Sequence, residues 1–273
     1  MSLPAPRPDS TILITGASSG IGTEFSRQLA ARGHNVTLVA RREERLAAVA
    51  EELRLAHGIR ADVHAADLGD DSARGALLAK LLEGELVVTG AINNAGYGSF
   101  GRFWELPLDR EVAMVRLNCD ALTEITGACL ADMVRRGEGA VLNLSSVAAS
   151  QPFPLNATYS ATKAFVSSFT EAVSAELAGT GVSCTALCPG PVATEFGAEA
   201  GAGEAESNLP GFLVQQPDEV ARAGIEAMVK GKRTVFSGIG PRIAGFSGRF
   251  TPRSALLPVV NKVAGRQFGG DRS

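Results

Sequence analysis

Residues 11–22, Thr11-Ile12-Leu13-Ile14-Thr15-Gly16-Ala17-Ser18-Ser19-Gly20-Ile21-Gly22, carry a β-branched run straight into a glycine-rich turn. A helical pattern follows at once, with Ile21, Phe25 and Leu29 at i, i+4 and i+8 on one face. Gly33 is expected as its C′ stop. A strand, a tight glycine turn and a helix in immediate succession form a place for a phosphate. Backbone N–H groups and the positive end of the helix point at the anion, and glycines let it approach. The spacing is G-x-x-x-G-x-G, which is neither G-x-G-x-x-G nor the G-x-x-x-x-G-K-[ST] phosphate loop. The same letters also match G-x-S-x-G, the nucleophile elbow of a serine hydrolase. That chemistry needs a histidine later in the chain than the serine and its acid. The three histidines are His34, His57 and His64, and an elbow on the first strand leaves no sheet before it. The phosphate reading prevails.

Outward from this stretch, short apolar strands alternate with longer helical patterns, as in a parallel sheet with crossover helices. The strands expected are 11–15, 36–40, 62–66, a run ending at Ile92, 140–144, 182–187 and 234–238. A second helix is expected from Glu43 to Ala56, with Leu46, Val49, Ala50 and Leu53 inward and Gly58 beyond its end. Without an internal repeat or second core, the pattern gives one domain over 11–240, preceded by a flexible N-terminus at 1–10. Residues 195–216 read as a loop over a substrate, with Phe196, Leu209, Phe212 and Leu213 as apolar contacts. Residues 241–273 read as a basic, apolar C-terminal extension carrying Arg242, Arg249, Arg253, Lys262, Arg266 and Arg272.

The bulk numbers narrow the partners. A formal net charge of −3 with 45% hydrophobic and 20% charged residues describes a soluble globular chain with no polyanion-binding surplus. No window approaches a membrane span and no signal-peptide core is visible, so the cytoplasm is the expected location. Cys119, Cys129, Cys184 and Cys188 lack a C-x-x-C spacing. Four strand residues would hold Cys184 and Cys188 roughly 13 Å apart, so they are expected as buried small hydrophobes rather than metal ligands.

About 20 residues past the glycine turn, a site for NAD places an acidic side chain at the end of the second strand. Here that place holds Ala40, followed by Arg41 and Arg42. A carboxylate there would repel a 2′-phosphate, whereas two guanidiniums would bind it through charge-assisted hydrogen bonds. The alternative is a solvated helix start in which Glu43 and Glu44 pair the arginines. With the cradle upstream and the acid missing, NADP(H) is favoured over NAD(H).

Tyr159 and Lys163, at i and i+4, open a helical segment whose Phe165, Phe169, Val173 and Leu177 are expected behind them. A phenol with an ordinary pKa near 10 is a poor acid–base catalyst, and an adjacent ammonium favours its ionised form. Such a pair could protonate a developing alkoxide or deprotonate an alcohol. Ser146, at the carboxyl end of the fifth strand, is placed to hold the substrate oxygen. Ser160 to Lys163 also matches the S-x-x-K of penicillin-binding enzymes, but no lysine here is followed by Thr-Gly.

Taken together, these motifs resemble the short-chain dehydrogenase/reductase family from Thr11 to about Gly238. The resemblance implies a Rossmann-type doubly wound parallel sheet of about seven strands with helices on both faces. It implies cofactor contacts from Gly16, Ser18, Ser19, Gly20, Ile21 and Gly22, and from Asp67 and Leu68 beside the adenine. Asn94, Ala95 and Gly96, in the N-N-A-G element that starts at Asn93, would support the sheet and line the adenine-ribose side. Pro189, Gly190, Val192 and Thr194 form a P-G motif in which Thr194 would reach the nicotinamide carboxamide. Asn118, Ser146, Tyr159 and Lys163 match the catalytic tetrad, with Asn118 holding a water of the proton relay and with Tyr159 and Lys163 also contacting the cofactor, Lys163 at the nicotinamide ribose. ASSGIG, VARR, NNAGYGSFGRFWELPLD and LCPGPVATEF resemble a bacterial NADP-preferring subgroup similar to hydroxysteroid dehydrogenases and ketoacyl reductases. Thr89-Gly90-Ala91 departs from the usual apolar fourth strand.

The expected activity is hydride transfer between NADP(H) and a hydrophobic ketone or secondary alcohol. A non-catalytic NADPH-binding or scaffold protein is the alternative, which an intact tetrad opposes. A homodimer or homotetramer is expected, and no nucleic acid or metal. The C-terminal tail is expected at a subunit interface rather than at a membrane surface, since Gly and Pro interrupt a long amphipathic helix there.

Overall fold

The computed structural model describes residues 3–201 and 214–268. The first strand, β1 (Ser10–Thr15), is buried along its whole length. Ile12 and Ile14 face one side of the sheet and Leu13 the other, so both faces need cover. The helix that follows, α1 (Gly20–Ala30), supplies part of that cover with Phe25 and Leu29. The chain continues through β2 (Val36–Ala40), α2 (Glu43–His57), β3 (Ala61–Ala65), α3 (Asp71–Leu82) and β4 (Val87–Asn93). Next come α4 (Leu108–Val115), a π-helical turn at Arg116–Ala121, α5 (Leu122–Arg136) and β5 (Gly139–Leu144). The last part comprises α6 (Ala157–Glu176), β6 (Val182–Cys188), the short α7 (Phe196–Glu199), α8 (Pro217–Val229), β7 (Thr234–Phe236), α9 (Ile239–Phe250) and α10 (Arg253–Phe268).

Among the described residues the strands form one parallel sheet in the order β3-β2-β1-β4-β5-β6-β7. Ile14 of β1 lies beside Leu38 of β2 on one side and Ile92 of β4 on the other. The strand order reverses between β1 and β4, which opens a crevice at their carboxyl ends where ligands of such sheets bind. On one face, Ile12, Ile14 and Leu38 pack against Phe25 and Leu29 of α1, Leu46 and Leu53 of α2, and Val220 and Ile225 of α8. On the other, Leu13, Val39 and Val141 meet Leu77 and Leu78 of α3, Ile125 and Met133 of α5, and Leu177.

Several expectations need correcting. The N-terminal residues were expected to be a flexible lead-in, yet Leu3 is buried in the core, its N–H donates to the Met228 carbonyl, and Ser10 already belongs to β1. The apolar leucine finds the notch left by Gly90, where a Cβ would come within 3.0 Å of its Cδ1. That notch also accounts for the glycine in β4, which is a full strand of seven residues with a shifted register at Thr11/Ile12. Helix α1 ends at Ala30, before Gly33, and the glycine at φ 83 instead completes the turn that follows.

On α6 the inward residues are Ser160, Thr162, Lys163, Val166 and Thr170, not the aromatic row. Phe165 is exposed and stacks on Phe169 with ring centroids 5.9 Å apart. The C-terminal extension is helical despite its glycines and Pro258, as α9 and α10 with a break at Thr251-Pro252. The four cysteines are free and buried. Among the described residues no His/Cys/Asp/Glu group could hold a metal, and no helix is long and apolar enough to cross a membrane.

Candidate active site

The crevice between β1 and β4 holds a cavity of about 390 Å³, within the usual range for small-molecule sites. Its floor is the turn at Gly16–Gly20. Gly16 sits at φ 66, a left-handed conformation that side chains resist. A Cβ on Gly22 would lie 2.1 Å from the Gly16 carbonyl oxygen, so only glycine lets α1 start this close to the end of β1. The turn is tied to β4 as well. Thr15 Oγ1 accepts from the N–H groups of Asn94 and Ala95 at 3.0 Å each, and Asn94 Nδ2 donates to the Thr15 and Gly16 carbonyls at 3.0 and 3.2 Å. Asn93 points the other way, into a buried chain of amides and hydroxyls. Its Nδ2 donates to Thr126 Oγ1 and Asn143 Oδ1 at 2.9 Å each, and Asn143 Nδ2 donates to Thr170 Oγ1 at 3.0 Å. This network fixes β4, β5, α5 and α6 relative to one another, because breaking one link would strand a buried polar group.

At the end beside the Gly16–Gly20 turn, where a nucleotide was expected, Ala40, Arg41, Arg42, Asp67 and Leu68 line the cavity together with Ser18 and Ser19. Asp67 caps its own turn, accepting from the Gly69 N–H at 2.9 Å. Arg42 does not pair with Glu43 or Glu44. Its guanidinium donates to Ser18 Oγ at 3.2 Å, to Ser19 Oγ at 2.7 Å and to Glu195 Oε2 at 3.0 Å. Arg45, one turn further along α2, donates to both Glu195 oxygens at 3.0 Å. These bonds from Arg42 and Arg45 hold the Glu195 carboxyl below the ordinary carboxylate range.

At the other end stand the sequence-predicted acid–base groups. Ser146 follows β5 and caps a short turn, its Oγ accepting from the Ala148 N–H at 3.1 Å. Tyr159 and Lys163 lie in the first turns of α6, whose start is pinned from outside. Asn156 Nδ2 donates to the Ser99 carbonyl at 2.6 Å and the Gly101 N–H to the Leu155 carbonyl at 2.8 Å. Leu155 is held at φ 64, a strained conformation for a bulky residue and a mark of local over-determination. Burial pushes the Tyr159 phenol up to about 12, with the bond to the Ser146 hydroxyl working against it. Burial also pulls the Lys163 ammonium down to about 8. Lys163 Nζ donates to the Leu144 carbonyl at 2.7 Å and lies 5.7 Å from the Tyr159 ring centroid. At that distance desolvation outweighs the lowering expected of an adjacent ammonium.

Asn118 sits in the π-helical turn between α4 and α5, a distortion often found at functional positions. Its Oδ1 accepts from the Tyr97 N–H at 3.2 Å, and its Nδ2 donates to the Tyr97 carbonyl at 3.0 Å and to Thr162 Oγ1 at 3.1 Å.

Of the described residues expected at the site, Gly22 and Asn118 stand behind the cavity wall, and the others line it. Leu209, Phe212 and Leu213 lie outside the described residues. Phe100, Phe153, Phe196, Glu195 and Glu199 also line the cavity, and sequence reasoning placed only Phe196 there. The Phe196 ring lies 5.4 Å from that of Tyr159. Gly98 makes room for both: a Cβ there would come within 2.9 Å of Phe196 Cζ and 3.3 Å of Tyr159 Cδ2.

A sequence model of the family described as short chain dehydrogenase matches residues 10–205. A short chain dehydrogenase of Pseudocercospora fijiensis is 33% identical over 96% of this chain and 87% of its own length. Among solved structures, a short-chain dehydrogenase from Sphingobium yanoikuyae in complex with NADPH aligns with TM-score 0.78 and 32% identity, covering 91% of this chain and 95% of that one. A structure of 7β-hydroxysteroid dehydrogenase aligns with TM-score 0.82 and 28% identity, covering 96% of this chain and all of that one, 100%.

Proposed function

The chain belongs to the short-chain dehydrogenase/reductase family, and from that premise we propose that it is an NADP(H)-dependent reductase of hydrophobic ketones. One observation carries the reading: a single cavity joins the Gly16–Ile21 cradle and Arg42 at one end to Ser146, Tyr159 and Lys163 at the other. The residues fit the cofactor. A turn that a Cβ at Gly16 or Gly22 would fill suits a pyrophosphate against the start of α1. The Arg42 guanidinium suits a 2′-phosphate, and Ala40 offers no carboxylate against it. The NADPH complex of the Sphingobium relative points the same way.

When bound, the nicotinamide supplies the hydride. Everything else falls to side chains of this chain. Ser146 Oγ holds the carbonyl oxygen, and Tyr159 Oη donates its proton to that oxygen as charge develops on it. Burial raises the Tyr159 phenol, so at neutral pH it carries the proton that reduction needs. Lys163 keeps a positive charge beside the developing alkoxide, and Asn118 holds the Tyr97 backbone of the cavity wall through both its amide atoms. Phe100, Phe153 and Phe196 give the substrate end an apolar wall, which supports a hydrophobic carbonyl. Thr194, Pro189 and Gly190 line the same cavity, Thr194 against Gly20 of the cradle, and would hold the carboxamide side of the nicotinamide.

Self-association fits the exposed apolar side chains of α4 and α6, where Val112, Val115 and Phe165 are 44%, 40% and 44% exposed. The exposed Ile239 and Ile243 of α9 give the C-terminal extension apolar surface for such a subunit contact.

The test is a panel of aliphatic, aromatic and steroidal ketones with NADPH and with NADH, followed by cofactor oxidation. Turnover of the bulky apolar ketones with NADPH, ahead of small polar aldehydes, is the expected result. Tight NADPH binding without oxidation by any carbonyl would return the protein to a non-catalytic binding role.

A further inference from the structure

Glu195 presents an anion to Arg42 where a bound nucleotide would present its own. The carboxylate follows Thr194, at the foot of α7, and reaches across the mouth of the cavity to α2. Its Oε2 lies 3.0 Å from Arg42 Nη1, while the same guanidinium donates to Ser18 and Ser19 of the cradle. Glu199 adds a second carboxylate at 4.0 Å. Ser18, Arg41, Arg42, Glu195 and Glu199 all line the cavity, so these charges face the space a ligand would enter. A 2′-phosphate approaching Arg42 therefore meets a like charge already seated. A 2′-hydroxyl makes no such demand.

We propose that Glu195 is a specificity-determining residue of the nucleotide site, an internal anion that competes with the 2′-phosphate for Arg42 and so moderates the preference for NADPH over NADH. The inference rests on the reading of Arg42 as the 2′-phosphate ligand. Arg45 completes the arrangement. It holds both Glu195 oxygens at 3.0 Å, so the carboxylate can yield Arg42 and remain paired. The competition is mild for a second reason: the Arg42 and Glu195 side chains are 38% and 50% exposed, and exposed ion pairs are weak and screened. The expected effects are severalfold, not orders of magnitude. The same contact ties the start of α2 to the foot of α7.

The experiment measures NADPH and NADH dissociation constants for the full chain by cofactor fluorescence at low and at physiological salt. The proteins compared are wild type, Glu195→Gln, Arg45→Gln, Arg42→Gln and the Glu195→Gln/Arg42→Gln pair. Glu195→Gln should tighten NADPH by about two- to fivefold at low salt and leave NADH within about twofold. Arg45→Gln, which leaves Glu195 only Arg42 as a partner, should weaken NADPH by about twofold. In the Arg42→Gln background the Glu195 change should no longer favour NADPH over NADH.

An unchanged or weaker NADPH affinity in Glu195→Gln would overturn the proposal. So would equal tightening of both nucleotides, or tightening that persists without Arg42, since either would be a general field effect. A wild type that binds both nucleotides equally and ignores Arg42→Gln would overturn the underlying cofactor reading and the proposal with it.

Discussion

The two ends of the cavity hold their cations in opposite ways. At the nucleotide end, Arg42 and Arg45 are exposed and share the Glu195 carboxylate through bonds of 3.0 Å. At the substrate end, Lys163 is buried, with the Leu144 carbonyl as its hydrogen-bond partner and, among the described residues, no carboxylate in an ion pair with it. Water and salt weaken each interaction at the first end, so affinity there is adjustable in small steps. Burial magnifies each charge at the second, where the ammonium falls to about 8 and the phenol rises to about 12. On the proposed function, recognition would rest on weak, exposed ion pairs and proton transfer on buried groups whose charge is costly.

The largest effect that would sharpen this contrast is on stability, at Lys163. Its ammonium is lowered from 10.5 to about 8 in the folded chain. Between those pH values the unfolded chain keeps a proton that the folded one releases, so stability rises with pH across that window. Below about pH 8 both forms are charged and the full cost of burial applies. The stability of Lys163→Met relative to wild type should therefore rise as the pH falls from 10.5 to about 8, by about 3 kcal/mol at most, offset by the lost bond to the Leu144 carbonyl. That gain should vanish as the pH approaches 10.5, and ketone reduction should be lost throughout. Urea unfolding of both proteins from pH 7 to 10 checks this; a gap that does not change with pH would place the ammonium in a solvated setting.

A smaller effect is expected at Gly98. Gly98→Ala drives a Cβ against Phe196 and Tyr159, and overpacking of this kind costs about 1–3 kcal/mol. The Phe196 ring can turn away, so the lower part of that range is expected, with KM for bulky ketones rising more than KM for NADPH. Thermal unfolding and steady-state kinetics report the two. Smallest of all is the change at Arg42. Arg42→Gln should weaken NADPH by about fivefold at low salt and less at high salt, with NADH little changed. Equal salt sensitivity at both ends of the cavity would break the comparison.

What could be read from the sequence follows the same division. Contiguous elements were legible: the strand-to-helix turn at Thr15–Gly22, Asn93–Gly96, and the Tyr159–Lys163 step, because each carries its geometry in local spacing. Contacts made at long range were not. Arg42 and Glu195 are 153 residues apart, and nothing local to either names the other. Glu43 and Glu44, adjacent in sequence, were the natural partners to expect, but they point along the exposed side of α2. The buried face of α6 misled for a related reason. It lies against the network of Asn143 and Thr170, so its inward residues are Ser, Thr and Lys, and the aromatic row falls outside. Leu3 escaped notice because one apolar residue among prolines has no periodicity. A sequence signal for the buried chain did exist, in Asn93 and Asn143 at strand ends and Thr126 and Thr170 on helices. Reading it required the register that pairs Asn93 with Asn143.

At the centre stands the Tyr159 hydroxyl, proposed to transfer the proton in a cavity whose hold on NADPH rests mainly on other groups. The most direct test measures Tyr159→Phe twice, once for NADPH binding and once for ketone reduction under saturating cofactor. The account predicts an NADPH dissociation constant within about threefold of wild type and a turnover lower by about 10²–10⁴, the range of general acid catalysis. Reduction by Tyr159→Phe at the wild-type rate would contradict it.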